Sequence, residues 1–177
     1  MSQPSLTERP LFGGALSAPL RQSYLDASQI RQIPDNQEVF VDANTEQSLI
    51  IELLDLVPVA KEKEIAKYHF QQLAEDNEAK EAIVNDISLL EATSNPSLPS
   101  DSSQIYVLKG LQKISKFNEQ QLHHVNIVMA IIRLAKVHTD VAISVNVPEG
   151  QGQIELVESE MLQLVKGFKV NDWSLFG

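Results

Sequence analysis

Asp35 and Glu38, two acidic residues of one short turn, are the best candidates in this sequence for catalysis or binding. Pro34 precedes them and suits a turn, because it lacks an N–H group and fixes its own φ angle. A pair of carboxylates can supply a general acid and a general base where burial raises the pKa of one of them. Nothing in this polar turn indicates such a pocket. Two alternatives remain: a solvated structural turn, or an acidic surface that another protein recognises.

Sequence patterns that would indicate an active site of another kind are missing. The chain contains no glycine-rich phosphate-binding loop and no G-x-S-x-G nucleophile motif. Its four histidines, His69, His123, His124 and His138, lack the spacing of a metal-binding pair. We interpret His123 and His124 as a loop pair where a strand begins, and His69 as a hydrogen-bonded residue at the edge of the core. We therefore predict no cofactor, no metal site and no active site of its own.

The balance of charge indicates which partners this chain attracts. Its 24 acidic and 14 basic residues give a formal net charge of −10. Such a surface repels nucleic acid and anionic membranes and attracts basic proteins, although acidity also serves solubility. The longest apolar run, residues 127–132, is too short to span a bilayer, and the N-terminus lacks the apolar core of a signal peptide. We predict a soluble intracellular protein that binds neither nucleic acid nor membrane.

The elements that flank the acidic turn must position it, beginning with a predicted strand at 39–42. Further strands are predicted at 49–54, where a short helix is the alternative, and at 105–114, 126–137 and 141–147. Large residues alternate with small or polar ones over 141–147, which indicates a strand with one apolar face. Residues 126–137 are apolar on both faces as far as Arg133, as is typical of a central strand. The intervening residues 138–140 predict a turn and therefore a hairpin.

Helical periodicity predicts the elements that cover this sheet. Apolar residues recur at three- and four-residue spacing over 59–76 and 154–168, and more weakly over 78–90. A sheet with two apolar faces and amphipathic helices predicts an α+β fold, a three-layer α/β/α sandwich with a central, mostly antiparallel sheet. In such a sandwich we expect Ile143 and Val145 to be buried.

One domain is predicted for this chain of 177 residues, because a chain of this length can bury a substantial core. We interpret residues 1–10 as a flexible tail and residues 11–177 as the domain. A segment rich in Ser and Pro at 93–103 predicts a mobile loop within it. Near the C-terminus, Trp173 and Phe176 are expected to pack into the core, with a partner-facing aromatic pair as the alternative.

Five segments, taken in order along the chain, resemble one known family. They are the acidic segment 26–42 and the segments 11–15 (LFGGA), 48–54 (SLIIELL), 132–134 with 146–148 (IRL and NVP), and 168–176 (FKVNDWSLF). Their order and spacing resemble the Mog family of Ran-binding factors over residues 11–176. The resemblance implies the same layered fold, which the PsbP subunit of photosystem II shares. It also implies binding to the GTPase Ran, promotion of nucleotide release from Ran, and a role in nuclear protein import in the nucleus and cytoplasm.

The resemblance assigns a role to the acidic turn as well. Asp35 and Glu38 match positions of the family's Ran-binding surface, and Asp26, Arg31 and Gln37 match neighbouring positions as secondary candidates. Other nuclear import factors are expected as further partners of a monomeric protein. Two alternatives stay open: an acidic adaptor that holds a basic protein without changing any nucleotide equilibrium, and a small hydrolase with a noncontiguous site.

Overall fold

The computed structural model describes residues 5–57, 61–115 and 121–177. Its strands are β1 (Leu6–Leu11), β2 (Leu16–Arg21), β3 (Tyr24–Asp26), β4 (Gln37–Asp42), β5 (Ser48–Asp55), β6 (Glu81–Leu90), β7 (Ser103–Ser115), β8 (Leu122–Leu134), β9 (Thr139–Pro148) and β10 (Lys169–Val170). Its α-helices are α1 (Glu62–Asp76) and α2 (Ile154–Gly167). Within the described ranges, no helix combines the length and the apolar character needed to cross a membrane.

Two antiparallel sheets make up the β-structure. The larger sheet has seven strands in the order β3-β4-β5-β9-β8-β7-β6, and the smaller has the order β1-β2-β10. Helix α1 packs on one face of the large sheet, while α2 and the small sheet pack together on the other face. The predicted α/β/α sandwich with a mostly antiparallel central sheet is confirmed.

The two-residue periodicity of the central strands divides the core into two halves. Ile143 and Val145 of β9 belong to the half that α2 covers, whereas Ile127 and Met129 of β8 belong to the half that α1 covers. Ile143 and Val145 are 0% and 4% exposed, which confirms their predicted burial. Because β5 pairs with β9 over its whole length, this double-sided core also holds the end of β5 and the acidic turn beside it.

The segment 78–90 contains a strand, so the weak helix predicted there is wrong. β6 is the edge strand of the large sheet and pairs with β7, with one register shift between Val84 and Asp86. A short apolar pattern fits a helix and a strand equally well. The backbone of β7 decides between them, because a paired neighbour satisfies the N–H and C=O groups of the added strand.

The N-terminal boundary of the domain differs from the prediction. β1 begins at Leu6 and pairs with β2, so residues 6–10 belong to the domain and not to a flexible tail. Residues 1–4 lie outside the described residues, as do residues 59 and 60 of the helix predicted at 59–76. At the N-terminus, pairing with β2 determines the boundary, and local composition does not encode it.

The turn between β8 and β9 lies earlier than predicted. It is a 3-10 helix at Ala135–Val137, followed by His138 in the left-handed region with φ 52°. Thr139 and Asp140, which were predicted to turn, are already the first residues of β9. His123 and His124 likewise lie within β8 and not in a loop.

The segment 93–103 is attached to the end of α2. The buried side-chain amide of Asn95 donates to the carbonyl oxygens of Val165 and Phe168, both at 2.8 Å. These acceptors are among the carbonyl groups that a helix leaves unsatisfied at its C-terminus. Leu98 is also buried. The mobility of the rest of this segment stays a prediction.

Candidate partner-binding surface

The acidic turn is held tightly against the end of β5. The amide of Gln37 donates to the carbonyl oxygen of Pro34 at 3.0 Å, which places Asp35 and Asn36 at the two central positions of the turn. Asn36 makes two hydrogen bonds with the main chain of Leu53, at 2.9 and 3.1 Å. The Asp35 side chain is exposed. The turn therefore presents one carboxylate to water on a rigid support.

The second acid of the pair, Glu38, lies in a different environment. It is half-buried, and its Oε1 accepts a hydrogen bond from the amide of Phe12 at 2.6 Å. Burial raises the pKa of Glu38 above its ordinary 4.5, the Phe12 amide opposes that rise, and the nearby Asp26 carboxylate adds to it. Among the described residues, no lysine or arginine forms an ion pair with Glu38. Glu38 is therefore partly removed from solvent, unlike Asp35.

The three secondary candidates have different surroundings: Asp26 and Gln37 lie on opposite faces of the sheet, and Arg31 lies in a loop. Asp26 shares the face of Glu38 and caps a 3-10 helix at Ala27–Gln29, accepting a hydrogen bond from the amide of Ser28 at 2.9 Å. Arg31 follows this helix and is exposed. Gln37 points to the opposite face, because successive side chains of a strand alternate. There its Nε2 donates to Glu52 at 2.7 Å.

The turn between β1 and β2 connects Glu38 to the C-terminal segment. Gly13 and Gly14 have φ angles of 69° and 93°, a region that glycine adopts without strain. Immediately before them, Phe12 donates its amide to Glu38. Immediately after them, the carbonyl oxygen of Ala15 accepts from the amide of Asn171 at 2.8 Å. The turn thus ties both segments to one end of the sheet.

The C-terminal segment ends in a 3-10 helix at Trp173–Phe176. Asp172 caps it, and the hydroxyl and amide of Ser174 lower the pKa of the Asp172 carboxyl by donating to it. The rings of Trp173 and Phe176 lie 5.9 Å apart, and both pack against the core while remaining half-exposed. Both rings thus pack against the core as expected, and Phe176 also lines a groove at the end of β5.

The family model described as "Ran-interacting Mog1 protein" matches residues 9–148, which include the acidic turn and the strands that hold it. This chain belongs to the Ran-interacting Mog1 family.

Similar proteins carry corresponding names. The Ran guanine nucleotide release factor of Danio rerio is 40% identical over 141 residues, covering 79% of this chain and 77% of its own length. The human protein of the same name is 34% identical over 178 residues, covering 95% of each chain. The nuclear import protein mog1 of Schizosaccharomyces pombe is 37% identical over 142 residues, covering 78% of this chain and 75% of its own.

Solved structures support the same family fold. The crystal structure of the Saccharomyces cerevisiae Ran-binding protein Mog1p superposes with a TM-score of 0.78 and 25% identity, covering 98% of this chain and all of that chain. Cyanobacterial PsbP from Synechocystis superposes with a TM-score of 0.62 at 9% identity, covering 96% of this chain and 95% of its own. The second likeness shows a shared fold alone, which confirms the prediction that PsbP has the same architecture.

Segments that carry the resemblance to the Mog family lie together at this surface. Four of these segments converge at one end of the large sheet: the acidic turn, the Phe12 turn, the end of β5 and the C-terminal 3-10 helix. The Phe12 amide could not be predicted from residue chemistry, because any residue type can supply a backbone donor. The sequence feature that points to this contact is segment 11–15, which resembles the Mog family and which the fold places beside Glu38.

Two clusters of buried charged side chains elsewhere in the fold are compensated. Asp140 is 0% exposed and accepts from Arg133 at 2.8 and 2.9 Å, and its Oδ2 lies 3.0 Å from Nε2 of His69. The interpretation of His69 as a hydrogen-bonded core-edge residue is confirmed. Buried Arg21 pairs in the same way with Asp42 and Glu160. Among the described residues, no group of three or more His, Cys, Asp or Glu is placed to hold a metal ion.

Proposed function

We propose that this protein binds the GTPase Ran and promotes release of its guanine nucleotide, in support of nuclear protein import. It acts as a monomer in the nucleus and cytoplasm, alongside other import factors, and has no active site of its own. The observation that carries this proposal is membership of the Mog1 family, whose similar proteins are named Ran guanine nucleotide release factors. Convergence of the family's segments around the acidic turn supports the location of the site.

The proposed Ran-binding surface is centred on Asp35 and Glu38, with Asp26 and Arg31 beside them. Asp35 offers an exposed carboxylate, and Glu38 offers a half-buried one with a single backbone donor. A basic side chain of Ran would complete the compensation that Glu38 lacks in the free protein. Gln37 supports the turn from the other face through Glu52, so its contribution to the contact is indirect.

The proposed mechanism is thermodynamic linkage. If this protein binds nucleotide-free Ran more tightly than nucleotide-loaded Ran, the affinity of Ran for its nucleotide must fall by the same factor. A coupling free energy of about 3 kcal/mol would weaken nucleotide binding on the order of 150-fold. Acidic groups that compete for a lysine otherwise supporting the nucleotide would create such a difference.

The test is release of fluorescently labelled GTP from purified Ran, with and without this protein at saturating concentration. We expect faster release, and weaker binding of the protein to Ran when excess free GTP is added, because the two ligands disfavour each other. An acidic adaptor would bind Ran without changing the release rate. Binding that is indifferent to added GTP would therefore replace the release-factor proposal with the adaptor.

A further inference from the structure

An open groove lies next to the acidic turn, between the end of β5 and the C-terminal 3-10 helix. We refer to it as the C-terminal groove. It has a volume of about 460 Å³, within the range of ligand sites, and is wide open to solvent. Asp35 and Asp55 lie at its edge, and Leu53, Leu175 and Phe176, which all pack against the α2 half of the core, form its apolar walls.

The walls of the C-terminal groove are fixed before any partner arrives. Asn36 holds one wall through its two hydrogen bonds to Leu53. The opposite wall is held by the capped 3-10 helix, whose preceding residue Asn171 donates its side-chain amide to Gly14 at 3.2 Å. Phe176 also packs against the ring of Trp173. A preformed groove loses little conformational entropy when a partner binds, which favours affinity.

The charge of the C-terminal groove selects its occupant. Both titratable side chains that line it, Asp35 and Asp55, are acids, and both are exposed. Among the residues that the structure describes, no lysine, arginine or histidine contributes to its lining. Half-exposed Phe176 adds an aromatic face, to which a cation is attracted. The combination of apolar walls and an acidic edge matches a side chain with an aliphatic stem and a positive head.

We propose that the C-terminal groove binds one lysine or arginine side chain of Ran, as a second anchor beside the acidic turn. This inference rests on the proposed Ran-binding function and extends it to residues that lie outside the acidic turn. The aliphatic stem lies along Leu53 and Phe176, and the charged head reaches Asp55 and Asp35. Asp35 belongs to both sites, so the groove and the acidic turn form one continuous surface.

Binding of nucleotide-free Ran to two groove variants, Asp55→Asn and Phe176→Ala, tests the groove. We expect each to raise the Kd at least about fivefold, the change that corresponds to a loss of about 1 kcal/mol at an interface. Asp86→Asn and Leu89→Ala are the matched controls, because both residues are exposed on edge strand β6. They should bind Ran like the unmodified protein. Where Phe176→Ala fails to fold, Phe176→Leu and Asp55→Asn carry the same test.

The identity of the bound side chain can be established by charge reversal. Asp55→Lys should bind poorly to Ran and recover when one particular lysine or arginine of Ran is changed to Glu. Recovery by none of the single Ran variants would overturn the proposal. Unchanged affinity of both groove variants, with loss of binding in Glu38→Gln, would overturn the groove and leave the proposed function standing. If the unmodified protein does not bind Ran at all, the proposed function itself is wrong.

Discussion

Two carboxylates of the large sheet have contrasting surroundings. Asp140, at the start of β9, is fully buried and accepts hydrogen bonds from Arg133 and His69. Glu38, in β4 beside the acidic turn, is half-buried and accepts one hydrogen bond, from the Phe12 amide. Burial alone would raise the pKa of either carboxyl. For Asp140 the donors outweigh burial and lower its pKa, while for Glu38 burial prevails and its pKa is raised. The two regions therefore shift the pKa of a carboxyl group in opposite directions.

The contrast distinguishes a carboxylate that stabilises the fold from one whose charge a binding partner could compensate. The desolvation cost of a buried carboxylate is offset by a full set of donors, and removal of one partner leaves an uncompensated buried charge, which is strongly destabilising. A carboxylate that is partly desolvated and has no cation gains most when another molecule supplies one. Asp140 is of the first kind and Glu38 of the second.

The largest expected effect is on stability at the compensated site. Asp140→Ala leaves Arg133 and His69 without their buried partner, so we expect it to lower the free energy of unfolding by about 3–5 kcal/mol. Urea denaturation followed by circular dichroism measures this loss. Asp86→Ala, an exposed acid on β6, is the control and should change stability by about 0.5 kcal/mol or less. A loss below about 1 kcal/mol for Asp140→Ala would remove the distinction between the two carboxylates.

At the uncompensated site the expected effect is on binding. Glu38→Gln keeps an oxygen for the Phe12 amide but loses the charge, whereas Glu38→Ala loses both. If the charge is desolvated in the complex, both variants should weaken binding to Ran by roughly 2–5 kcal/mol, measured by titration calorimetry. Only Glu38→Ala should also destabilise the fold, by about 1 kcal/mol, because it leaves the Phe12 amide without its acceptor. Wild-type affinity in Glu38→Gln would instead make Glu38 a residue that only positions the Phe12 turn.

The smallest expected effect is a difference in how stability and Ran binding depend on pH at the two carboxylates. The lowered pKa of Asp140 means that its contribution to stability is fully present above the ordinary 3.8 and is lost only as the pH falls through the lower folded value. Glu38 has the opposite sign: because its pKa is raised above 4.5, protonation relieves a cost in the folded state. We expect mild acid to weaken Ran binding while the circular dichroism spectrum stays unchanged.

Glu38→Gln is the control for this pH dependence, because titration of Ran itself affects both proteins equally. The difference in affinity between the wild-type protein and Glu38→Gln should shrink as Glu38 becomes protonated. Parallel pH profiles for the two proteins would show that the charge of Glu38 plays no part in binding.

The sequence was sufficient to predict the central elements of the fold. Alternation over 141–147 and the apolar segment 126–137 predicted a covered hairpin, and β8 and β9 form one. Periodicity succeeds there because burial on two faces constrains every residue. It failed over 78–90, where an exposed edge strand carries few such constraints and the neighbouring β7 supplies the decisive hydrogen bonds.

For the candidate site, the sequence by itself determined the residue types: a proline-marked acidic turn, a glycine pair and an aromatic C-terminus, in an order that resembles the Mog family. Only the tertiary structure decided their relations. It placed the Phe12 amide on Glu38, turned Gln37 to the opposite face, and opened a groove between Asp55 and Phe176. The physical reason is that desolvation and hydrogen-bond partners depend on atoms far apart in the chain, which local residue patterns do not encode.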